Sequence, residues 1–199
     1  MFSHSSLRRR VLCAGASLAA ALALAACGRQ PPEFQGSDIT GTQLGRDMAL
    51  VDHSGAPRTL ADYAGKVVVV FFGFTQCPDV CPTSLAEMAQ VMEKLGEDAE
   101  QVQVLMVTVD PERDTPEVLR QYVTAFDPRF VGLTGTPEQI KQTAASFKVY
   151  YAKAQREGGD YTMDHTAAFY LLDKQGEARV LVSNNAGVDV LSHDIEQLL

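Results

Sequence analysis

The chain is 199 residues long, 46% hydrophobic and 21% charged, with a formal net charge of −8. These values sit in the globular range and leave room for one well-buried domain rather than two. The acidic balance excludes a nucleic-acid partner, because holding phosphates takes clustered Lys and Arg.

The chain opens on a targeting pattern. Arg8, Arg9 and Arg10 form a positive cluster, and 11–26 is an apolar run dominated by Ala and Leu, too short to span a membrane comfortably. It ends in Leu24-Ala25-Ala26-Cys27, which is similar to the lipobox of bacterial lipoproteins, where the Cys thiol is diacylated. We therefore expect 1–26 to be a lipoprotein signal peptide, 27–40 the lipidated Cys27 and a tether containing Pro31, Pro32, Gly36 and Ser37, and 41–199 the folded domain. An ordinary secretory signal with an incidental Cys is the alternative. Removing 1–26 takes away three Arg and no acid, which moves the net charge from −8 to −11.

Of the four cysteines, Cys13 falls in the discarded segment and Cys27 carries lipid, so Cys77 and Cys81 remain as free thiols. In an oxidising exported compartment two thiols this close form a disulfide unless a metal or a reductant intervenes. Redox state is then part of the function, or the pair is a structural staple. A staple closing so short a loop removes little unfolded-state entropy, which weighs against that reading.

Along the domain, 48–51 reads as a strand and His53-Ser54-Gly55 as a turn. The continuous apolar run 66–74 predicts a strand covered on both faces. Pro82 fits the first turn of a helix, whose buried face then carries Leu85, Met88, Ala89, Met92 and Leu95. Those methionines read as core filler rather than a copper-binding stripe. A second buried strand over 102–109 completes a parallel β-α-β unit with a right-handed crossover. Helices start at Thr115-Pro116-Glu117 and, with capping-box spacing, at Thr136-Pro137 and Gln139, with a short strand over 130–133 between them. After the Gly158-Gly159 turn, 167–173 and 178–182 form a hairpin, and Val188, Leu191, Ile195 and Leu198 mark a closing amphipathic helix. This order predicts an α/β sandwich with a central mixed sheet flanked by helices, the thioredoxin-like arrangement.

Ligands of open α/β sheets collect at the carboxyl ends of parallel strands. Cys77 lies just past the first buried strand and Asp110 just past the second. His165 precedes the strand 167–173, whose start reaches the same edge if it runs antiparallel. The four-residue spacing of Cys77 and Cys81 turns both side chains to one side of a helical turn, and the helix end favours thiolate. Two thiolates and one neutral imidazole form a soft three-coordinate set suited to Cu(I), while Cu(II) would add an oxygen ligand or water. Zinc would want a fourth strong ligand, which Asp79 or Asp110 would have to supply. Asp164 either orients the His165 loop or is simply solvated. His4, His53 and His193 read as ordinary histidines, and residues alone leave His165 open between that and a ligand.

Four ordered blocks, FFGFTQCPDVCPTS (71–84), VDPERDTPE (109–117), VGLTGTPEQI (131–140) and YTMDHTAAFYLLDKQGE (161–177), closely resemble the Sco/SenC family of copper proteins for cytochrome c oxidase assembly. The likeness runs from about Gly41 to Leu199. It implies a thioredoxin-like fold, a membrane tether, and exposure on the periplasmic face of a bacterial membrane, the inner one being favoured by association with an oxidase. It also implies that Cys77, Cys81 and His165 are the copper ligands, with Asp110 and Asp114 in a further family motif of less defined role. Unlike thiol oxidoreductases of this fold, the chain has no proline just before the strand beginning at Ala167, and none at all after Pro137. The implied function is a metallochaperone, not an enzyme, that helps populate the binuclear copper centre of oxidase subunit II or other copper proteins, loaded by a periplasmic donor. The competing function is a thiol-disulfide reductase that keeps the oxidase cysteines reduced, itself served by a periplasmic thiol reductant. A peroxiredoxin-like peroxidase is a third, for which the thiol motif lacks the usual surroundings.

Overall fold

The computed structural model describes residues 32–156 and 158–199. The signal peptide and Cys27 read from the sequence lie outside the described residues. The compact unit runs Glu33–Leu199. In chain order its elements are β1 (Ser37–Asp38), β2 (Ala49–Asp52), β3 (Pro57–Thr59), β4 (Val67–Gly73), α1 (Val80–Leu95), β5 (Val102–Thr108), α2 (Pro116–Thr124), β6 (Val131–Thr134), α3 (Pro137–Ser146), β7 (Tyr151–Gln155), β8 (Tyr161–His165), β9 (Ala168–Leu172), β10 (Ala178–Ser183) and α4 (Val188–Glu196).

Ten strands form two sheets. Eight run in the order β1-β10-β9-β4-β5-β6-β2-β3, while β7 and β8 pair only with each other. Central β4 is parallel to β5 and antiparallel to β9, and β5 is parallel to β6. All seven residues of β4 are buried, as a strand covered on both faces requires. Helices pack against this sheet: Leu119 of α2 lies over Gly132 in β6, and α1 lies against α4. This is the mixed-sheet, thioredoxin-like sandwich expected from the element order.

Local chemistry explains most boundaries. Thr115 and Thr136 cap α2 and α3 by accepting the Val118 and Gln139 amides, each with Pro at the first helical position. In return the Thr136 amide donates to Gln139 Oε1, which completes a capping box. The α1 helix starts two residues earlier than Pro82 alone suggested, with Asp79 at the N-cap. Pro82 is tolerated there because the first four amides of a helix have no intrahelical acceptor.

Two features differ from the sequence reading. Residues 35–39, whose composition reads as tether, join the fold: Ser37 and Asp38 pair with β10, and the buried Asp194 carboxylate of α4 accepts the Gln35 and Gly36 amides at 2.8 Å each. The hairpin of β7 and β8 was not expected. It turns through Gly158 and Gly159, both at positive φ, and its last residue is His165.

Candidate metal centre

Three elements converge where β4 ends. The segment after β4 carries Cys77, the first turn of α1 carries Cys81, and the end of β8 carries His165. Their ligand atoms, two Sγ and one imidazole nitrogen, lie within 4.8 Å of one another. Among the described residues this is the cluster able to hold a metal ion, and no carboxylate belongs to it.

Each side chain has a reason to be there. Thr75 fixes the Cys77 loop: its hydroxyl and amide donate to the buried Asp114 carboxylate at 2.6 and 3.1 Å, and the Thr108 hydroxyl at the end of β5 donates to the same group at 2.6 Å. Burial raises the Asp114 carboxyl, partly offset by these three bonds. The Cys77 amide turns back onto the Phe74 carbonyl at 3.2 Å. Cys81 is fully buried beneath Gly73, and its amide donates to Cys77 Sγ at 3.4 Å.

His165 is oriented by its neighbours. Its Nδ1 lies 3.0 Å from the Thr166 carbonyl oxygen, which only accepts, so Nδ1 carries the proton. That leaves the Nε2 lone pair facing Cys81 Sγ at 3.7 Å, the tautomer a metal ligand needs. Phe71 and Phe74 stand edge-on to the ring, at 84° and 90°, and wall the site on its inner side. A groove of about 350 Å³ opens outward past Cys77, Asp79, Asp164 and His165.

Both cysteines are thiols here, and their environments drive them apart. The bond from the Cys81 thiol lowers Cys77 most; burial opposes it, while the Cys81 and Asp79 amides add to the lowering, to about 5. The same bond, followed by burial, pushes the Cys81 thiol up. The half-buried Cys77 is thus the ready thiolate, and Cys81 gives up its proton when a cation replaces it.

The acidic residues singled out by sequence divide into two sets. Asp79 and Asp164 are exposed on the rim. Asp110, fully buried, accepts from Arg113 Nε and, at 3.0 Å, from the Tyr161 hydroxyl, and so supports the hairpin rather than facing the thiols. Sequence reasoning passed over Gly73, Thr75, Arg113 and Tyr161. All four lie inside the quoted motifs; a glycine ending a buried strand four residues before Cys77 was the available signal.

Residues 37–199 match the family model described as SCO1/SenC. The chain belongs to that family. The mouse mitochondrial SCO2 homolog is 44% identical over 133 residues, 65% of this chain and 52% of that protein, so the match spans about half of its length. The structure of Bradyrhizobium japonicum ScoI with copper bound is 40% identical, with a TM-score of 0.71 over 76% of this chain and 97% of that one. The solution structure of apo Sco1 from Thermus thermophilus is 42% identical, with a TM-score of 0.76 over 84% and 98% of the two chains. The family-model match, residues 37–199, covers the strand ends and the hairpin that build the three-residue cluster.

Proposed function

We propose that this chain is a copper metallochaperone that holds one copper ion through Cys77 Sγ, Cys81 Sγ and His165 Nε2 and passes it to the binuclear copper centre of cytochrome c oxidase subunit II. The observation that carries the reading is the convergence of two thiols with a histidine whose Nδ1 is occupied and whose Nε2 is free. Two soft sulfurs and one imidazole suit Cu(I), and a missing fourth protein ligand suits release by ligand exchange better than permanent storage. The copper bound in the Bradyrhizobium japonicum relative supports copper as the ion. Zinc is disfavoured because neither candidate fourth ligand joins the cluster: Asp110 is committed to Arg113 and Tyr161, and Asp79 stands exposed on the rim. Lipidation at Cys27 would tether the domain to the periplasmic face of the inner membrane, within reach of its client.

A second function, thiol-disulfide reduction, is favoured by the lowered Cys77 thiol beside a second thiol. Cys77 thiolate would attack a client disulfide, Cys81 would resolve the mixed disulfide, and two electrons would leave this chain as it forms the Cys77–Cys81 bond. The deciding experiment mixes the Cu(I)-loaded protein with the metal-free, reduced copper domain of subunit II. Growth of the binuclear-centre spectrum once the mixture is oxidised by one electron per centre with ferricyanide, abolished by Cys77→Ser or His165→Ala, supports delivery. Reduction of an oxidised client without copper transfer, surviving His165→Ala, supports the reductase instead.

A further inference from the structure

The hairpin that carries His165 shares no ladder hydrogen bond with the main sheet. Its foot is tied by the Thr166 amide to the Tyr150 carbonyl at 2.9 Å and by the Tyr150 amide to the Thr166 hydroxyl at 3.1 Å. Beyond the foot, and apart from the His165 Nε2–Cys81 Sγ contact inside the site, the polar ties from the described residues of the hairpin to the body of the domain run to one short segment, 110–113. Lys153 Nζ donates to Glu112 at 2.7 Å and the Tyr161 hydroxyl to Asp110 at 3.0 Å, while Arg113 reaches both arms of the site.

Arg113 Nε is anchored on Asp110. Its Nη1 donates to the Tyr161 carbonyl in β8 at 3.0 Å and to Gln76 Oε1, beside Cys77, at 2.9 Å. Its guanidinium also stacks 3.8 Å from the centre of the Tyr161 ring, and Asp160 in the hairpin turn lies 3.6 Å from Nη1. Arg113 therefore ties the loop of one ligand to the hairpin of another while touching neither ligand. A planar, always-charged fork can hold these partners together, and a lysine point charge cannot.

We infer that Arg113 is a positioning residue that sets the registry between His165 and the cysteine pair. The inference deepens the copper-site reading and rests on it for its functional meaning. Loss of the fork frees the hairpin to tilt about its Tyr150–Thr166 foot and carries the imidazole away from Cys81 Sγ, leaving a two-thiol site.

The test uses the full-length reduced protein as wild type, Arg113→Met, His165→Ala and the double variant. In metal-free Arg113→Met, amide exchange across Tyr151–Gln155 and Tyr161–His165 quickens roughly tenfold or more while β4 and β5 are unchanged. With copper added, Arg113→Met keeps the thiolate-to-Cu(II) absorption, loses nitrogen splitting in its electron paramagnetic resonance spectrum, and binds about 10- to 100-fold more weakly. The double variant binds no more weakly than His165→Ala alone, because Arg113 acts through that ligand. Unchanged hairpin exchange, or affinity losses that simply add, would overturn the inference. A wild type that takes up no copper would sink the copper reading, and the exchange data would still judge the tie. If Arg113→Met does not fold, Arg113→Lys keeps the pair with Asp110 and is expected to show the same exchange and spectral changes; wild-type behaviour in a folded Arg113→Lys would count against Arg113.

Discussion

A side chain at Gly73 would collide with Cys81: a Cβ there stands 2.9 Å from Sγ, and equally close to the Phe71 ring. The last residue of β4 is therefore glycine because the buried thiol occupies the space above it. Gly73→Ala is expected to push Cys81 off its position, costing about 1–3 kcal/mol of stability by overpacking and weakening copper binding while the fold persists. Chemical denaturation and a competitive Cu(I) titration check both halves; unaltered copper affinity would mean the thiol has slack that the close contact denies.

Asp114 anchors the cysteine loop from beneath. Asp114→Ala strips the acceptor from the half-buried Thr75 hydroxyl and amide and from the buried Thr108 hydroxyl. We expect a loss of about 3 kcal/mol in urea unfolding of the metal-free protein, since each buried donor left unpaired costs about 1–3 kcal/mol and some will find water. A loss under about 0.5 kcal/mol, the level of an ordinary surface change, would contradict the anchoring role.

The two thiols should differ in reactivity. With Cys77 lowered from 9.0 to about 5, its thiolate form dominates at neutral pH. Alkylation of the reduced, metal-free protein is expected to rise through about pH 5 and then level off, with label on Cys77 and little on the buried Cys81. In Cys81→Ala the inflection moves up toward the ordinary thiol range, because the main lowering contact is gone. Mass spectrometry of labelled peptides against pH reads both.

Acid stability has a contributor far from the metal site. Burial would raise the Asp52 carboxyl, but bonds from Ser54, Arg58 and the Ala56 and Ser54 amides outweigh it and hold it at about 2 against 3.8 unfolded. A carboxyl depressed in the folded state stabilises fully above its unfolded value and loses that contribution as pH falls through its folded one. Wild type should exceed Asp52→Asn by about 2 kcal/mol at neutral pH, with the gap closing between about pH 4 and pH 2. Unfolding free energies of the two proteins across that range test the sign.

How much of this was readable beforehand follows from the kind of signal involved. Apolar runs such as Val67–Gly73 and caps such as Thr136 with Gln139 are local, so the main sheet, its parallel core and three helix starts were visible. The convergence of Cys77 and His165 required only the rule that ligands gather at strand ends and an antiparallel β9, which the structure shows. The hairpin of β7 and β8 was not visible, because YAKAQ and YTMDH carry little apolar alternation and owe their pairing to the Gly158-Gly159 turn and to contacts with 110–113. Asp110 was noticed for its place at a strand end, yet its role depends on Arg113 and on Tyr161, distant in sequence, and no spacing rule reveals such a pair.

X-ray absorption of the reduced protein loaded with Cu(I), alongside its copper stoichiometry and the His165→Ala variant, tests the three-ligand copper site directly. One copper per chain, bound by two sulfurs and one nitrogen, is expected, with the nitrogen absent and binding sharply weaker in His165→Ala. An all-sulfur copper environment, or uptake indifferent to His165, would contradict it and leave the Cys77–Cys81 pair as a redox dithiol.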